Sequence, residues 1–405
     1  MEVKGYYSKY ELQGVETVVR VDLNVQLELD PNTGKYVVKD DEKLKAILPG
    51  TRELMKEGAK IVLMSHLGRY KDIKKAKDKE AFSLKPVAEM LSRYLKVEVK
   101  LARDVSHARK LEKSMKNGDV ILLENLRVMP GEEKNNYNYA RSLASLGKVY
   151  INNAFASSHR KHSSTYTIAR FMEKVILGDL VIKESEILDE VLNSTASPKV
   201  AVLGGAKVSD KLGVIKNLMK KMNIILIGGA MANTFLKASK KEIGMSLCEN
   251  DMLNEASDIL KNGNKLDVEI VLPIDVVIAW EISDKAKTKV VGVDKVPKDA
   301  IIFDIGPKTR RLFAEKIKNA KVIMWNGPMG YFEKRPFARG TTAIAKAIAA
   351  NSEAFSVAGG GETVQAAKRY GKRRKIKLLT GGGASLEYLR GLKLPGITAC
   401  KERVA

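Results

Sequence analysis

Val200–Leu212 reads VAVLGGAKVSDKL. Four apolar residues, Val200 to Leu203, run into Gly204 and Gly205 and then into Lys207 and Lys211, the pattern of a short buried strand, a tight turn and the opening of a helix. On this reading the two lysines stand four residues apart on one helical face, near an N-terminus whose free amides favour anions. Taken alone, the stretch is equally compatible with a solvated lysine pair after an ordinary strand-to-helix turn. Repetition along the chain decides between the two.

Downstream the pattern recurs with glycine at each turn. KVAVLGGAK, NIILIGGAM, EIVLPIDVV, AIIFDIGPK, KVIMWNGPMG, AFSVAGGGET and IKLLTGGGAS are apolar runs that end in Gly, Pro, Asp or Asn. Gly228–Gly229, Gly359–Gly361 and Gly381–Gly383 sit where a strand yields to a helix, so bare amides can face phosphate oxygens there. No GK[ST] occurs and no GxGxxG, which excludes a Walker A loop and a dinucleotide fingerprint, and the protein-kinase signatures are missing.

Upstream the runs end in charge. ETVVRVDLNVQL sets Arg20, Asp22 and Asn24 at alternate positions, hence on one side of a strand. KIVLMSHLGR ends in His66 and Arg69, DVILLENLR in Glu124, Asn125 and Arg127, and KVYINNAFASSHRKHSS in Asn152, Asn153, His159, Arg160 and His162. Helical patterns separate these strands over 41–58, with Pro49 inside, over 84–95 and over 105–116. Strand and helix alternation predicts a doubly wound parallel sheet, whose ligands bind beyond the carboxyl ends of the strands. Four such ends carry cations, which suits a small acidic molecule because guanidinium forks match carboxylate and phosphate oxygens. A zinc site at His159 and His162 lacks further ligands. Residues 163–193 read as a long helix broken by Gly178, leading to a linker at Ser194–Pro198.

A chain of 405 residues is too long for one ordinary domain, and its 44% hydrophobic share fits a globular protein. No apolar run reaches the length of a membrane span, and MEVKGYYSKYELQG lacks the apolar core of a signal peptide, so a cytoplasmic location is expected. Cys248 and Cys400 are too few for a disulfide framework or a CxxC metal site. Against 48 acidic residues stand 71 Lys and Arg, a formal charge of +23, which raises affinity for polyanions in general. Much of that excess is spread through runs such as Lys71–Lys85 and Lys372–Lys377. No RRM, KH or zinc-finger pattern accompanies it, so nucleic acid is expected to bind at most nonspecifically. The expected organisation is two α/β halves, one an arginine-lined acid site and one a glycine-lined nucleotide site, as in a small-molecule kinase that closes about a hinge.

In order along the chain, RVDLNVQL, SHLGR, LLENLR, NNAFASSHRKHSS, VLGGAKVSDK, IGGAMANTFLK, LPIDVV, DIGPKT, WNGPMGYFE, ARGTTAIA, GGGETV and TGGGASLEYLRG resemble the phosphoglycerate kinase family over nearly the whole length. The resemblance implies two Rossmann-like, doubly wound parallel-sheet domains joined by a hinge helix. Their expected bounds are 1–175 for the 3-phosphoglycerate domain, 176–198 for the interdomain helix and linker, 199–387 for the nucleotide domain, and 388–405 for a segment returning to the first. It also implies reversible phosphoryl transfer between 1,3-bisphosphoglycerate with ADP and 3-phosphoglycerate with ATP, Mg²⁺ accompanying the nucleotide, in a monomer.

Carried over by motif, Asp22, Asn24, Lys43, His66, Arg69, Arg127 and Arg160 are similar to the family's 3-phosphoglycerate site. Lys207 resembles the lysine that stabilises the moving phosphoryl group, and with Lys43, Gly360 and Gly382 makes up the implied catalytic set. Gly205, Lys211, Gly229, Asn326, Glu333, Gly359–Gly361 and Thr363 resemble the nucleotide site, with Glu333 on the ribose, and Thr380 enters the last glycine turn.

The departures bear on rate. Lys43 stands six residues before Pro49, where the family has an arginine, and lysine lacks the bidentate fork. Glu362 stands where the family's magnesium aspartate follows three glycines, and its longer arm must repack or ligate through water. Gln26 and Tyr70 replace prolines, Val128 a phenylalanine, Asn153 an aspartate and Ala230 a glycine. Two alternatives are therefore carried beside the active enzyme: a catalytically weakened paralogue that binds polyanions through its basic surface, and an oxidoreductase on the same scaffold. The missing GxGxxG weighs against the latter.

Overall fold

A computed structural model describes residues 5–75, 79–370 and 376–404. It divides into two compact units, Met1–Ser185 with Lys393–Ala405 and Glu186–Leu392.

Six parallel strands form the sheet of the first unit, in the order Val99–Ala102, Val120–Leu123, Lys60–Met64, Glu16–Val21, Val149–Asn153, Lys174–Leu177. Glu16–Val21 is followed on one side by Lys60–Met64 and flanked on the other by Val149–Asn153 and then Lys174–Leu177, so the direction of strand addition reverses between Glu16–Val21 and Val149–Asn153. A crevice opens beyond the carboxyl ends at such a switch point. Helices cover the sheet, and its central strands are accordingly apolar along their length, as Ile61–Met64 and Val120–Leu123 show. Helices Glu42–Lys56, with Pro49 inside, Lys85–Leu95 and Val105–Glu112 occupy the three predicted helical stretches. A small hairpin, Leu27–Leu29 with Tyr36–Val38, lies outside the sheet.

The second unit repeats the architecture with the order Glu269–Val271, Ile224–Ile227, Lys199–Leu203, Val322–Asn326, Phe355–Gly359, Ile376–Leu378, all parallel. In chain order this is the 3-2-1-4-5-6 arrangement of dinucleotide folds. Its switch point lies between Lys199–Leu203 and Val322–Asn326, and Val200 to Leu203 are fully buried. Asp275–Ala279 and Ile301–Ile305 leave this sheet and pair antiparallel in a separate three-stranded one with Lys289–Gly292.

Three sequence expectations are corrected. Residues 163–177 are not helical: a 3₁₀ turn, Thr167–Phe171, leads into the strand Lys174–Leu177, which pairs with Val149–Asn153. A short β-branched run is ambiguous by periodicity, and an open sheet edge settled it. The helix begins after Gly178, at Asp179–Asn193. Secondly, the first strand stops at Val21, so Asp22 and Asn24 belong to the loop that follows, whereas Arg20 is fully buried in the core. Thirdly, the helix after the Gly204–Gly205 turn starts only at Leu212, with Lys211 as its N-cap residue, so Lys207 and Lys211 do not share a helical face. Gly205 adopts φ +105°, and Glu249 accepts hydrogen bonds from the Val208 and Ser209 amides and the Ser209 hydroxyl. Those bonds hold residues 206–211 in an extended turn. The basic run Lys372–Lys377 lies, up to Lys375, outside the described residues, as do residues 76–78 of Lys71–Lys85.

Candidate active site

In the first unit the loops leaving the sheet's carboxyl edge are fastened to one another by buried amides. Asn125, fully buried, accepts from Leu67 N at 2.9 Å and donates to the carbonyls of Leu67 at 2.7 Å and Phe82 at 3.0 Å. Asn24 Oδ1 accepts from Gly68 N at 3.0 Å, and Ser65 Oγ from Leu23 N at 2.8 Å. Gly68 itself, at φ +71°, has no room for a side chain against the Phe82 ring. These bonds set the SHLGR loop beside the Asp22–Asn24 loop.

Onto this frame the sequence loads positive charge. Arg127 is 5% exposed, with Nε 3.1 Å from Glu133 and Nη1 donating to the Gly68 carbonyl. Burial pulls its guanidinium down to about 10, still charged at neutral pH. Lys43 reaches Asp22 at 2.9 Å, and Asp22 also accepts from Asn24 N at 3.0 Å. Arg69 and Arg160 are exposed and, among the described residues, take part in no salt bridge; Arg160 Nε meets His159 Nε2 at 3.2 Å.

His66 is buried, and its Nδ1 lies 3.0 Å from Arg20 Nη2. Because the guanidinium can only donate, Nδ1 accepts and the ring proton sits on Nε2. Burial, then Arg20, Arg127 and Lys43, hold the imidazole well below its ordinary value, so His66 is a neutral donor. His162 is pulled down to about 3 by burial and the same arginines. Sequence reasoning passed over the support beneath. Arg20 also donates to Ser164 Oγ at 2.9 Å, and Ser164 in turn bonds both oxygens of the fully buried Glu132. Nothing in the local pattern of MPGEEK marks Glu132 as interior.

The second unit builds its site from backbone. Asn326 ends a strand in register between Leu203 and Gly359. Its amide donates to the Gly359 carbonyl at 2.8 Å and its Oδ1 accepts from Lys211 Nζ. Gly204 N bonds Asn326 O, Gly205 N bonds Pro328 O, and Gly229 N bonds Met329 O. Thr363 Oγ1 accepts from Gly327 N at 2.7 Å. Close approach is what the glycines supply. A Cβ on Gly327, at φ +101°, would fall 2.2 Å from the Gly204 carbonyl, and one on Gly360, at φ +94°, 3.2 Å from Asn326 Nδ2. Thus Gly205, Gly229, Lys211, Asn326, Gly359, Gly360 and Thr363 are brought together at the switch point.

Lys211 is pulled down to about 8 by burial, opposed by Asp210 and Glu362. Lys207 and Glu362 are exposed, as is Gly361, whose Cβ direction is open. Gly382, at φ +51°, opens on space in the turn after Ile376–Leu378. Glu333 stands apart: it is exposed and borders a concavity with Arg310 and Arg339. Two features went unread in the sequence. Glu249 fastens the turn that follows Lys207. Exposed Met245, Leu247 and Tyr331 flank the strand Ile301–Ile305, the Met245 amide bonding Ala300 O and the Tyr331 amide Phe303 O.

Each unit therefore presents an anion-receptive surface at a sheet switch point, one of cationic side chains on a buried polar frame and one of glycine turns with lysines. The profile of the phosphoglycerate kinase family matches residues 7–392. The chain is similar to the structure of phosphoglycerate kinase from Coxiella burnetii, at 36% identity and a TM-score of 0.88 over 98% of this chain and 99% of that one. It is also similar to the crystal structure of phosphoglycerate kinase from Pyrococcus horikoshii OT3, at 31% identity and a TM-score of 0.81 over 98% of each. With two six-stranded parallel sheets and a family match over nearly its entire length, the chain belongs to the phosphoglycerate kinase family and is a phosphotransferase.

Proposed function

We propose that this enzyme transfers a phosphoryl group between 1,3-bisphosphoglycerate and MgADP through the two half-sites described, in glycolysis and in the reverse direction. The convergence of charge and glycine at the two switch points carries the reading. Arg127, held rigidly by Gly68 and Glu133, with Arg69, Arg160 and the His66 Nε2 proton, receives the carboxylate and phosphate of 3-phosphoglycerate, while Lys43 is drawn from Asp22 toward the reacting end. Asn24 fastens the loop and offers its remaining amide protons.

In the second unit the amides of Gly359, Gly360, Gly361 and Gly382, with Thr363 and Thr380 at the turns, receive nucleotide phosphates, while Gly205 and Gly229, whose amides bond the carbonyls of Pro328 and Met329, let the nucleotide come close to the turn. Lys211 and Asn326 follow the phosphate chain, Glu333 takes the ribose, and Met245, Leu247 and Tyr331 give the base an apolar bed. Lys207 neutralises the phosphoryl group in flight. The attacking group is already ionised in either direction, so no general base is required and positioning carries the catalysis. Glu362, a single exposed carboxylate beside these glycines, fits Mg²⁺, which binds through one or two carboxylates plus phosphates. The ion would supply charge neutralisation. Transfer requires the two ligands to meet, which gives Asp179–Asn193 the part of a hinge.

No helix among the described residues is long and apolar enough to cross a membrane, and we take the enzyme to be a cytoplasmic monomer that binds nucleic acid at most nonspecifically. The test is a coupled assay of ATP-dependent phosphorylation of 3-phosphoglycerate, with and without Mg²⁺. Metal-dependent turnover is expected, with kcat falling about 10³-fold in Lys207→Ala while 3-phosphoglycerate affinity stays within about twofold. Unchanged turnover would remove Lys207 from the mechanism. Absent turnover with both ligands bound would revive the weakened paralogue.

A further inference from the structure

The charge excess is concentrated at one further place. In the Glu186–Leu392 unit a concavity of about 760 Å³ is bordered by the helices Pro307–Lys318, Arg339–Ala350 and Gly361–Tyr370 and the turn Arg335–Phe337. Arg310, Arg335, Arg339, Lys346 and Arg369 line it. The chain holds 19 arginines and 52 lysines, yet four of these five cations are arginine. A merely solvated basic face would reflect the lysine-rich composition. Guanidinium enrichment is the mark of multidentate oxyanion recognition.

The countercharge available is small. Among the described residues none of the five cations takes part in a salt bridge. Two carboxylates share the lining, Asp284 and Glu333. Asp284 is engaged by Lys334 at 3.0 Å and by the Arg335 amide at 3.3 Å, so its charge is already matched. Beneath the wall, Asp304 is 2% exposed and accepts from the amides of Gly340 at 2.7 Å and Ile305 at 2.9 Å. Burial pushes its carboxyl up to about 8, against those bonds and the pull of Arg310 and Arg339, so at neutral pH it is mostly protonated and offers little negative charge. The lining is completed by aromatic carbon: Phe332, and Tyr370, over whose ring the Arg369 guanidinium lies at 5.2 Å. That stacking leaves the edge of the guanidinium for a ligand. Like charges gathered around one concavity repel, and a bound polyanion relieves that repulsion.

We propose that this concavity is a second anion site, separate from the phosphoryl-transfer site, that takes a compact multivalent phosphate of the size of inorganic triphosphate through Arg310, Arg339 and Arg369. Its three arginines belong to neither half-site, whereas Glu333, on the border of the same concavity, is the residue given to the ribose above.

The test is calorimetric titration of inorganic triphosphate into the full-length protein preloaded with ADP and 3-phosphoglycerate. One equivalent should bind, more weakly as salt is raised, and affinity should fall at least about tenfold in Arg310→Gln/Arg369→Gln while kcat/KM for phosphoryl transfer stays within about twofold. Arg339→Gln alone should show a smaller loss in the same direction and serves if the double variant does not fold. Equal affinity in wild type and both variants would overturn the proposal. So would loss of triphosphate binding in Lys211→Ala with the arginine variants unaffected, which would locate the anion in the nucleotide half-site. Tighter binding of a single-stranded oligonucleotide than of triphosphate to the same arginines would replace the small anion with a nucleic-acid backbone.

Discussion

The two units share a doubly wound sheet and a switch-point site, yet they make an anion welcome by opposite means. The first buries charged side chains: Arg20, Arg127 and Glu132 lie in or near the core, each held by two or more partners. The second presents backbone, using Gly204, Gly205, Gly229 and Gly327 to pack its turns together beside the Gly359–Gly361 turn, and adds lysines at the rim. Side chains supply directional forks that read a particular acid. Amides supply partial charges that accept any chain of phosphates and leave identity to the base. The first site should therefore fail through chemistry, and the second through shape.

The largest effect that would sharpen this contrast is a methyl group. Gly327→Ala forces its Cβ toward the Gly204 carbonyl in a backbone region unfavourable to alanine, so ADP affinity should drop about a hundredfold and the melting temperature should fall, as backbone strain and lost contacts combine. Near-native ADP binding in calorimetry would break the shape argument for the second site. Next comes Arg127→Lys, which keeps the charge and removes the fork. The KM for 3-phosphoglycerate should rise roughly tenfold with ADP affinity untouched. An unaltered KM would mean that charge alone suffices in the first site too.

A smaller effect comes from pH. Lys211, pulled down to about 8 by burial, loses its proton above that value in the free enzyme, whereas bound phosphate favours the ammonium. Nucleotide binding should thus take up a proton, and ADP affinity should fall several-fold between about pH 8 and 9.5, toward the ordinary lysine value. Calorimetry in buffers of different ionisation enthalpy reads both quantities, and a flat profile would detach Lys211 from the phosphates. The smallest effect is expected at Lys43→Arg. The longer fork should keep its hold on Asp22 and preserve or raise kcat, by at most about threefold. A severe loss in steady-state kinetics would show that the first site has been rebuilt around lysine.

Glycine turns were readable because they are local. A Gly-Gly after four apolar residues announces both the strand end and the amides, and Gly204–Gly205, Gly228–Gly229 and Gly359–Gly361 all fall at the ends of strands. The anion-binding side chains of the first unit were readable for the same reason, since His66, Arg69, Arg127 and Arg160 each follow a strand. What escaped was whatever depends on a distant partner. Glu249 is some forty residues from the amides it caps, and without it Val208–Lys211 looks like the first turn of a helix. Glu132 looks like a surface residue until Ser164 and Arg20 close over it. Residues 174–177 look helical until an edge of the sheet accepts them.

By itself, then, the sequence determined two doubly wound halves, the chemistry at the end of each strand and the family to which the chain belongs, because periodicity, glycine conformational freedom and side-chain charge are properties of short stretches. The tertiary structure alone decided that Arg20 lies in the core while Asp22 stands in a loop, that His66 is a neutral donor through Nε2, that Lys211 meets Asn326, and that Arg310, Arg339 and Arg369 border one concavity. Burial and neighbouring charge set protonation and orientation, and both come from residues far away in the chain.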